Sequence, residues 1–510
     1  MIQGLGPCDP GSNPGTLTKN INRYKRTLMN TEVNQNKMAK EDGITSKKSK
    51  NFSEWYTQIV VKGDLADYSP VKGCMIIKPS GYKIWENIQA YFNIILKKYN
   101  VKNAYFPLFI PESFFKKETE HAKGFQPEVA WIANKEDERL AVRPTSETII
   151  YDTYSKWIRS WRDLPFRLNQ WCNVVRWETK ATKLFLRTRE FLWQEGHCVY
   201  STKEEADKEM LLILKEYQKL CHELLAIPVL AGKKTEKEKF AGALYTTSIE
   251  AFMPENKALQ MGTSHNLGQG FAKSFNISYL GKDEKLHTPW QTSWGISTRL
   301  IGALAMMHGD DKGLVLPPRI APIQIIIIPI FFDKDKKKVL KVANKIKDFL
   351  KDFSIEIDKR EEYTPGWKFN EWELKGVPLR IEIGPKDVSK KQVVLVRRDT
   401  SEKQAIKIKD INKKVSNLLE DIQKNLFNKA NQFLKESIVK VKTWKEFLKA
   451  VNNRKLIRAP FCGDISCEDS IKDKTNGVKS INIPFDSNPE GYCVNCGKKA
   501  AYEVYFAKSY

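Results

Sequence analysis

The sequence predicts an α+β protein: an antiparallel-sheet domain, then a small α/β domain, then a compact module built on cysteines. Three observations predict it. Residues 173–197, NVVRWETKATKLFLRTREFLWQEGH, read as strand, Lys-rich turn and strand. Residues 321–415 alternate strand and helix. Cys462-x4-Cys467 and Cys493-x2-Cys496 stand near the C-terminus as two short-spaced pairs.

The chain has 510 residues, room for two to four domains, and 41% of them are hydrophobic, enough for a sizeable core. No apolar run reaches the roughly 18 residues of a membrane span. A formal charge of +24 points to a polyanionic partner, nucleic acid first, with a lysine-rich composition and no partner as the alternative. No basic start is followed by an apolar block, so a cytoplasmic, reducing setting is expected. There, clustered cysteines favour a metal over disulfides.

Taken in order, residues 1–50 carry no periodicity and are expected to form a disordered basic extension, with Met29 and Met38 as alternative starts. A short helix begins over Ser53–Gln58, and Gly81 to Asn100 presents Ile84, Ile88, Phe92, Ile95 and Leu96 on one helical face. VKNAYFPLFIP (101–111) is a strand interrupted at Pro107; proline lacks a donor, so this strand belongs at a sheet edge or a subunit seam. The strand Leu140 to Val142 leads through Arg143-Pro144-Thr145-Ser146-Glu147 into a helix from Thr148. A hydroxyl and a carboxylate there read equally as a helix cap with a first-turn acid or as holders of a secondary ammonium group.

In the central hairpin, alternation sets Arg187, Arg189, Phe191, Trp193, Glu195 and His197 on one sheet face. That face is a poor apolar core. Guanidinium groups, aromatic planes and carboxylates suit an anionic, flat-ringed ligand, against the alternative of a solvated hairpin. Ser201-Thr202-x-x-Glu205 reads as a capping box for a helix to about Leu225, with Met210, Ile213, Leu214, Tyr217 and Leu224 in the core. Gln260, Thr263 and His265 then cluster around Gly262, which permits close approach of a ligand to backbone. Gly295 and Arg299 flank the start of a helix with Ile301, Leu304 and Met307 on its apolar side, and Pro317-Pro318 ends the domain.

The second domain is expected as strands Ile323–Phe332, Ser354–Asp358, Pro378–Ile383 and Gln392–Arg397 with a helix over Asp335–Asp352. Its Arg380, Glu382, Arg397 and Arg398 fit an RNA-facing surface or simply one wet sheet face. Ser416 to about Lys449 reads as long amphipathic helix. Four thiolates, Cys462, Cys467, Cys493 and Cys496, suit tetrahedral zinc, structural because a closed sulfur shell leaves no open position. The predicted units are 1–50, 51–320, 321–415 and 416–510.

Together these runs resemble the class II aminoacyl-tRNA synthetases, and within them the prolyl-tRNA synthetases of the archaeal and eukaryotic type, over about residues 51–510. The segment from Gly81 to Pro111 resembles motif 1 of that class. Val175-Arg176-Trp177-Glu178 through Glu195-Gly196-His197 resembles motif 2, and Gly295 to Arg299 motif 3. RPTSE (143–147), FLWQEGH (191–197), ALQMGTSHNLGQ (258–269) and TPGWKFNEWELKGVP (364–378) are the prolyl-type runs. Class I synthetase, Rossmann and Walker signatures are absent from the sequence.

The resemblance implies ligation of L-proline to tRNA(Pro) with ATP and Mg2+, in a homodimer formed through motif 1. It implies that Arg176, Glu178 and Arg299 are catalytic, with Arg176 bridging the α-phosphate and the proline carboxylate. Arg187 and Thr188 would hold the outer phosphates, and Phe191 and Arg299 would enclose adenine beside Glu178. Gln260 and Thr263 would meet phosphate, ribose or magnesium, with Gln260 the candidate magnesium ligand. Thr145 and Glu147 would hold the imino group, in a pocket shaped by Phe125, Trp193, Glu195, His197 and His265. Glu373, Arg380 and Asp387 would read the anticodon, and the Tyr510 carboxylate would approach the active site. With Thr188 only nine residues beyond Thr179, no inserted editing domain has room in the hairpin. The competing expectation is a catalytically silent synthetase-like RNA-binding or regulatory protein, which would lose one of Arg176, Glu178, Arg187 and Arg299. A threonine-specific synthetase would want metal ligands beside the motifs.

Overall fold

The computed structural model describes residues 43–115, 128–133, 138–177, 181–331 and 333–510. Its centre is an 11-stranded sheet. Six strands, Leu230–Lys233, Tyr245–Met253, Lys257–Gly268, Trp290–Ser297, Glu190–Tyr200 and Phe166–Val175, lie side by side in that order, antiparallel throughout. Lys102–Asn103 adds in parallel at one margin, so the strand expected before Pro107 does sit at a sheet edge.

The helix Lys203–Lys219 crosses this sheet. It starts where the sequence places it: Thr202 accepts from the Glu205 amide and Glu205 reaches back to the cap backbone. Its Ile213, Leu214 and Tyr217 pack with Trp294, Ile249 and Met261 in the main core. Each such aliphatic side chain is worth about 1.5–3 kcal/mol when removed from water. Gly196 stands opposite Trp294 in the ladder, and a Cβ there would fall 2.2 Å from the indole ring, so the bulky tryptophan requires the glycine. Gly262 serves packing in the same way: a Cβ would meet Ile296 at 2.9 Å. Gly262 also borders a cavity of about 130 Å³.

The second domain is a 5-stranded sheet ordered Ile355–Ile357, Ile325–Pro329, Leu379–Ile383, Gln392–Arg397 and Lys403–Lys407. The first three strands are parallel and the last two antiparallel. Ile325 to Ile328 are all 0% exposed, the unbroken apolar run of a strand covered on both faces. The helix expected from Ser416 begins earlier, at Ile411, because Ile411 and Val415 already pack into this domain's core. It ends at Ser437, and a strand, Ile438–Lys440, and a separate helix, Trp444–Asn452, follow.

The cysteine module is not detached. Its strand Lys479–Pro484 pairs with Leu230–Lys233 through Ile483 and Lys233, and its strands Tyr502–Ala507, Leu456–Phe461 and Ile438–Lys440 extend the central sheet outward. The expected disordered extension also stops short of residue 50. Gln58 Oε1 accepts from the Thr45 amide at 2.8 Å, and Lys48 Nζ donates to the Gly309 carbonyl at 2.7 Å. Residues 1–42 lie outside the described residues.

Candidate active site

The odd face of the strand Glu190–Tyr200 opens onto a cavity of about 470 Å³. Trp193, Glu195 and His197 rise from that strand, Arg176 from the hairpin turn, Gln260, Thr263 and His265 from the strand Lys257–Gly268 two places along the sheet, and Thr145 and Glu147 from the turn into the helix Glu147–Trp157. That turn is not spent on capping. Ser146 occupies the N-cap position without a side-chain cap bond. Its Oγ donates to Glu195 Oε1 at 2.5 Å, while Thr145 Oγ1 donates to the Glu147 carboxylate. The structural alternative of a capped helix start is thus replaced by two hydroxyls aimed at two buried acids.

Glu195 Oε1 also accepts from Gln170 Nε2 at 2.9 Å, and Oε2 lies 3.1 Å from His197 Nε2; the other ring nitrogen of His197 meets the Tyr151 hydroxyl at 3.0 Å. Burial opposes charge on Glu195, but the bonds from His197, Ser146 and Gln170 outweigh it and hold the carboxyl below its ordinary range. Burial also opposes an imidazolium at His197, and Glu195 again prevails, raising that ring. His265 goes the other way: burial, then the charge on His197, pushes it down to about 3. Neutral, it lies 2.8 Å from Thr246 Oγ1 and 3.0 Å from Thr263 Oγ1.

Arg176 also lines two adjoining cavities. One, of about 300 Å³, is walled by Arg176, Arg187, Thr188, Phe191, Ser297, Arg299 and Tyr510; the other, of about 130 Å³, runs between Phe191 and Trp193 on one side and Gln260, Thr263 and Arg299 on the other. The Arg176 guanidinium stands 5.5 Å from the Phe191 ring centroid. Among the described residues, no acidic side chain lines the arginine-rich cavity. Burial and then the neighbouring Arg176 lower the pKa of Arg299, with Glu250 partly opposing and Arg187 adding to the effect. Like charges crowded around an empty space favour an anion in it.

The structure thus brings together Thr145, Glu147, Arg176, Arg187, Thr188, Phe191, Trp193, Glu195, His197, Gln260, Thr263, His265 and Arg299. Phe125 and Glu178 lie outside the described residues. Arg189, placed by alternation on the same face, turns away: its guanidinium stacks 4.5 Å from the Trp177 ring centroid and donates to the Lys72 carbonyl. Glu238, Phe240, Thr246, Ser293 and Trp294 complete the walls of the larger cavity and were not legible as site residues. Only the wealth of small and polar residues over 235–271 hinted at the first three of them.

Glu373 and Arg380 line a cavity of about 240 Å³ in the second domain with Phe369, Arg397 and Lys403. Asp387 is not brought into it. At the far end of the Leu379–Ile383 strand its carboxylate accepts from the Gly384 amide and from Gln392 Nε2. In the C-terminal module the sulfurs of Cys462, Cys467, Cys493 and Cys496 all lie within 4.8 Å of one another, with Cys467–Cys493 at 3.7 Å and Cys462–Cys496 at 3.6 Å. Disulfides would need about 2.05 Å. A tetrahedron with metal–sulfur bonds of about 2.3 Å has edges of about 3.8 Å, so the four thiols fit a metal.

An antiparallel sheet with Arg176 and Arg187 in its hairpin connection and Arg299 at the start of the helix Arg299–His308 defines the fold class, and comparison agrees. Residues 129–308 match the family model described as tRNA synthetase class II core domain (G, H, P, S and T). Residues 324–418 match an anticodon binding domain, and 444–510 the prolyl-tRNA synthetase C-terminal model. The proline–tRNA ligase of Alkaliphilus oremlandii is 53% identical over 467 residues, 90% of this chain and 96% of its own. That of Natranaerobius thermophilus is 51% identical, over 91% and 97%. A crystal structure of prolyl-tRNA synthetase from Cryptosporidium parvum, complexed with halofuginone and AMPPNP, aligns with a TM-score of 0.88 at 45% identity, over 92% of this chain and 97% of that one. Within the class II synthetases, this chain belongs to the prolyl-tRNA synthetase family.

Proposed function

We propose that the protein is a proline–tRNA ligase working in two steps. A proline carboxylate oxygen attacks the α-phosphorus of ATP and pyrophosphate leaves; the 2′- or 3′-hydroxyl of the terminal adenosine of tRNA(Pro) then attacks the prolyl carbonyl and AMP leaves. The observation that carries this reading is that the arginine-lined cavity and the carboxylate-lined one share Arg176, which borders both. The first suits a triphosphate, the second a cationic imino acid. Arg176 bridges the α-phosphate and the proline carboxylate, where negative charge gathers in the transition state. Arg187 and Thr188 hold the outer phosphates, and Phe191 and Arg299 face adenine. Thr145 and Glu147 receive the imino group, and Trp193, Glu195, His197 and His265 enclose the ring. Magnesium enters with the triphosphate, and Gln260 is the side chain offered to it. Positioning and charge neutralisation supply the rate, with no covalent enzyme intermediate.

Three units, 51–320, 321–415 and 416–510, carry activation, anticodon reading and support; the last boundary falls inside the helix Ile411–Ser437. Glu373 and Arg380 offer an acceptor and a donor to guanine edges, with Asp387 as a separate contact. The four cysteines hold a structural zinc. Ile94, Tyr105 and Phe109, which are 73%, 69% and 48% exposed on the 81–111 region, supply the apolar face of a homodimer. Among the described residues no helix is long and apolar enough to cross a membrane, in keeping with a cytoplasmic site of action. The alternative of a silent relative draws no support from the groove, where Arg176, Arg187 and Arg299 are all in place.

The test is ATP–pyrophosphate exchange run over the full set of amino acids. The reading expects exchange driven by proline far above the others. Exchange at background with proline, beside an active control enzyme, would leave the silent alternative standing.

A further inference from the structure

The segment 234–240 links the strands Leu230–Lys233 and Tyr245–Met253, and two of its side chains, Glu238 and Phe240, wall the larger cavity. At its start the Lys234 amide donates to the Thr246 carbonyl of the sheet; beyond that its backbone bonds are local turns, the Glu238 and Lys239 amides donating to the Thr235 carbonyl and the Ala243 amide to that of Phe240. Such turns do not fix where the segment stands relative to the sheet. Side chains do, and several of them belong to the C-terminal module.

Lys479 Nζ donates to Glu238 Oε2 at 2.8 Å, and Lys237 pairs with Asp469. Ser480 Oγ donates to Glu468 Oε1 at 2.5 Å; its one proton is used there, so Thr235 Oγ1, 3.1 Å away, is the donor to Ser480. All three of those groups are buried. Lys234 Nζ donates to Glu250 Oε1 at 2.7 Å and to the Ile481 carbonyl at 2.6 Å. Glu468 directly follows Cys467, so the chain of contacts runs from the cysteine cluster to the cavity wall. On its inner side the segment is tied to the site: the Phe240 amide donates to Thr246 Oγ1, which meets His265, and the Phe240 ring lies 4.9 Å from the His265 ring.

We infer that the C-terminal module positions the wall of the amino-acid cavity, with Lys479, Ser480 and Asp469 as positioning residues that hold segment 234–240 in its binding stance. Lys479 also occupies the Glu238 carboxylate. Without it, a third acid would be left beside Glu147 and Glu195, free to draw the cationic imino group away from them. The inference rests on the assignment of this cavity to proline.

The test compares Lys479→Ala, Lys479→Arg and Ser480→Ala with the wild-type full chain, by ATP–pyrophosphate exchange and by amide hydrogen exchange of residues 234–243 with and without proline. Lys479→Ala should raise the KM for proline about five- to tenfold, the loss of one charge-assisted bond at a partly exposed site, with the KM for ATP and kcat changed less than about twofold. Exchange at 234–243 should quicken in the absence of proline, Ser480→Ala should act in the same direction, and Lys479→Arg should restore both readouts. Unchanged proline KM and unchanged exchange in both alanine variants would overturn the inference. So would a rise in both Michaelis constants with a lowered Tm, the mark of a contact that only stabilises the fold. If proline fails to protect 234–243 in the wild type, the assignment of the cavity falls and the inference with it. Protection in the wild type with no change in Lys479→Ala overturns the inference alone.

Discussion

Ser146 Oγ lies 2.5 Å from Glu195 Oε1, so the residue at a helix N-cap position donates across to a sheet carboxylate instead of capping its own helix. Together with Gln170 and His197 it keeps a charged acid in the interior. Ser146→Ala removes one donor from a buried carboxylate and should cost about 1–3 kcal/mol, read by denaturant unfolding, together with a raised proline KM. A variant as stable as the wild type with unchanged proline KM would show that this bond holds nothing.

Arg176→Ala should lower adenylate formation by about 100-fold or more, because the group removed acts on charge that develops during attack. The melting temperature should stay near that of the wild type, since the guanidinium faces cavities rather than core. Pyrophosphate exchange and thermal unfolding together check this. Near-normal turnover would show that the reacting atoms lie elsewhere.

For two histidines the contribution to the pH dependence of stability has a definite sign. His265 is held at about 3 in the folded protein, and His308, half-buried beside the Leu225 carbonyl, at about 4. Both lie below the ordinary value, so as pH falls below about 6.5 the unfolded chain takes up protons that the folded chain refuses. Their contribution is complete above about pH 6.5 and is lost as pH falls toward the folded values, at about 1.4 kcal/mol per pH unit per proton. His265→Asn, which cannot be protonated, should flatten the slope between about pH 4 and 6 by one proton's worth in pH-dependent urea melts. An identical slope would mean that His265 is charged in the folded state.

The cysteine cluster predicts zinc near one per chain, and Cys467→Ser should abolish it and lower the melting temperature. Elemental analysis of protein purified without chelator measures this directly; the absence of zinc from wild-type protein would refute the metal reading.

What the sequence showed and what it hid follow from distance along the chain. Phe191, Trp193, Glu195 and His197 alternate on one strand, so their shared face was readable. Arg189 was misplaced because the ladder starts only at Glu190, after a tight turn in which Phe185 takes a positive φ of 60°. Glu238 and Phe240 were hidden because their segment has no periodicity of its own and takes its stance from residues about 240 positions away. The long amphipathic pattern after Ser416 concealed a break at Ser437, since a short buried strand and a helix can share such a pattern.

The central claim is that a nucleotide and proline meet at Arg176. The most direct measurement is a crystal structure with a non-hydrolysable prolyl-adenylate analogue bound. The account predicts the phosphate against Arg176, the adenine between Phe191 and Arg299, and the pyrrolidine ring among Trp193, His197 and His265 beside Thr145 and Glu147. An analogue seated elsewhere, with the arginines open to solvent, would contradict it.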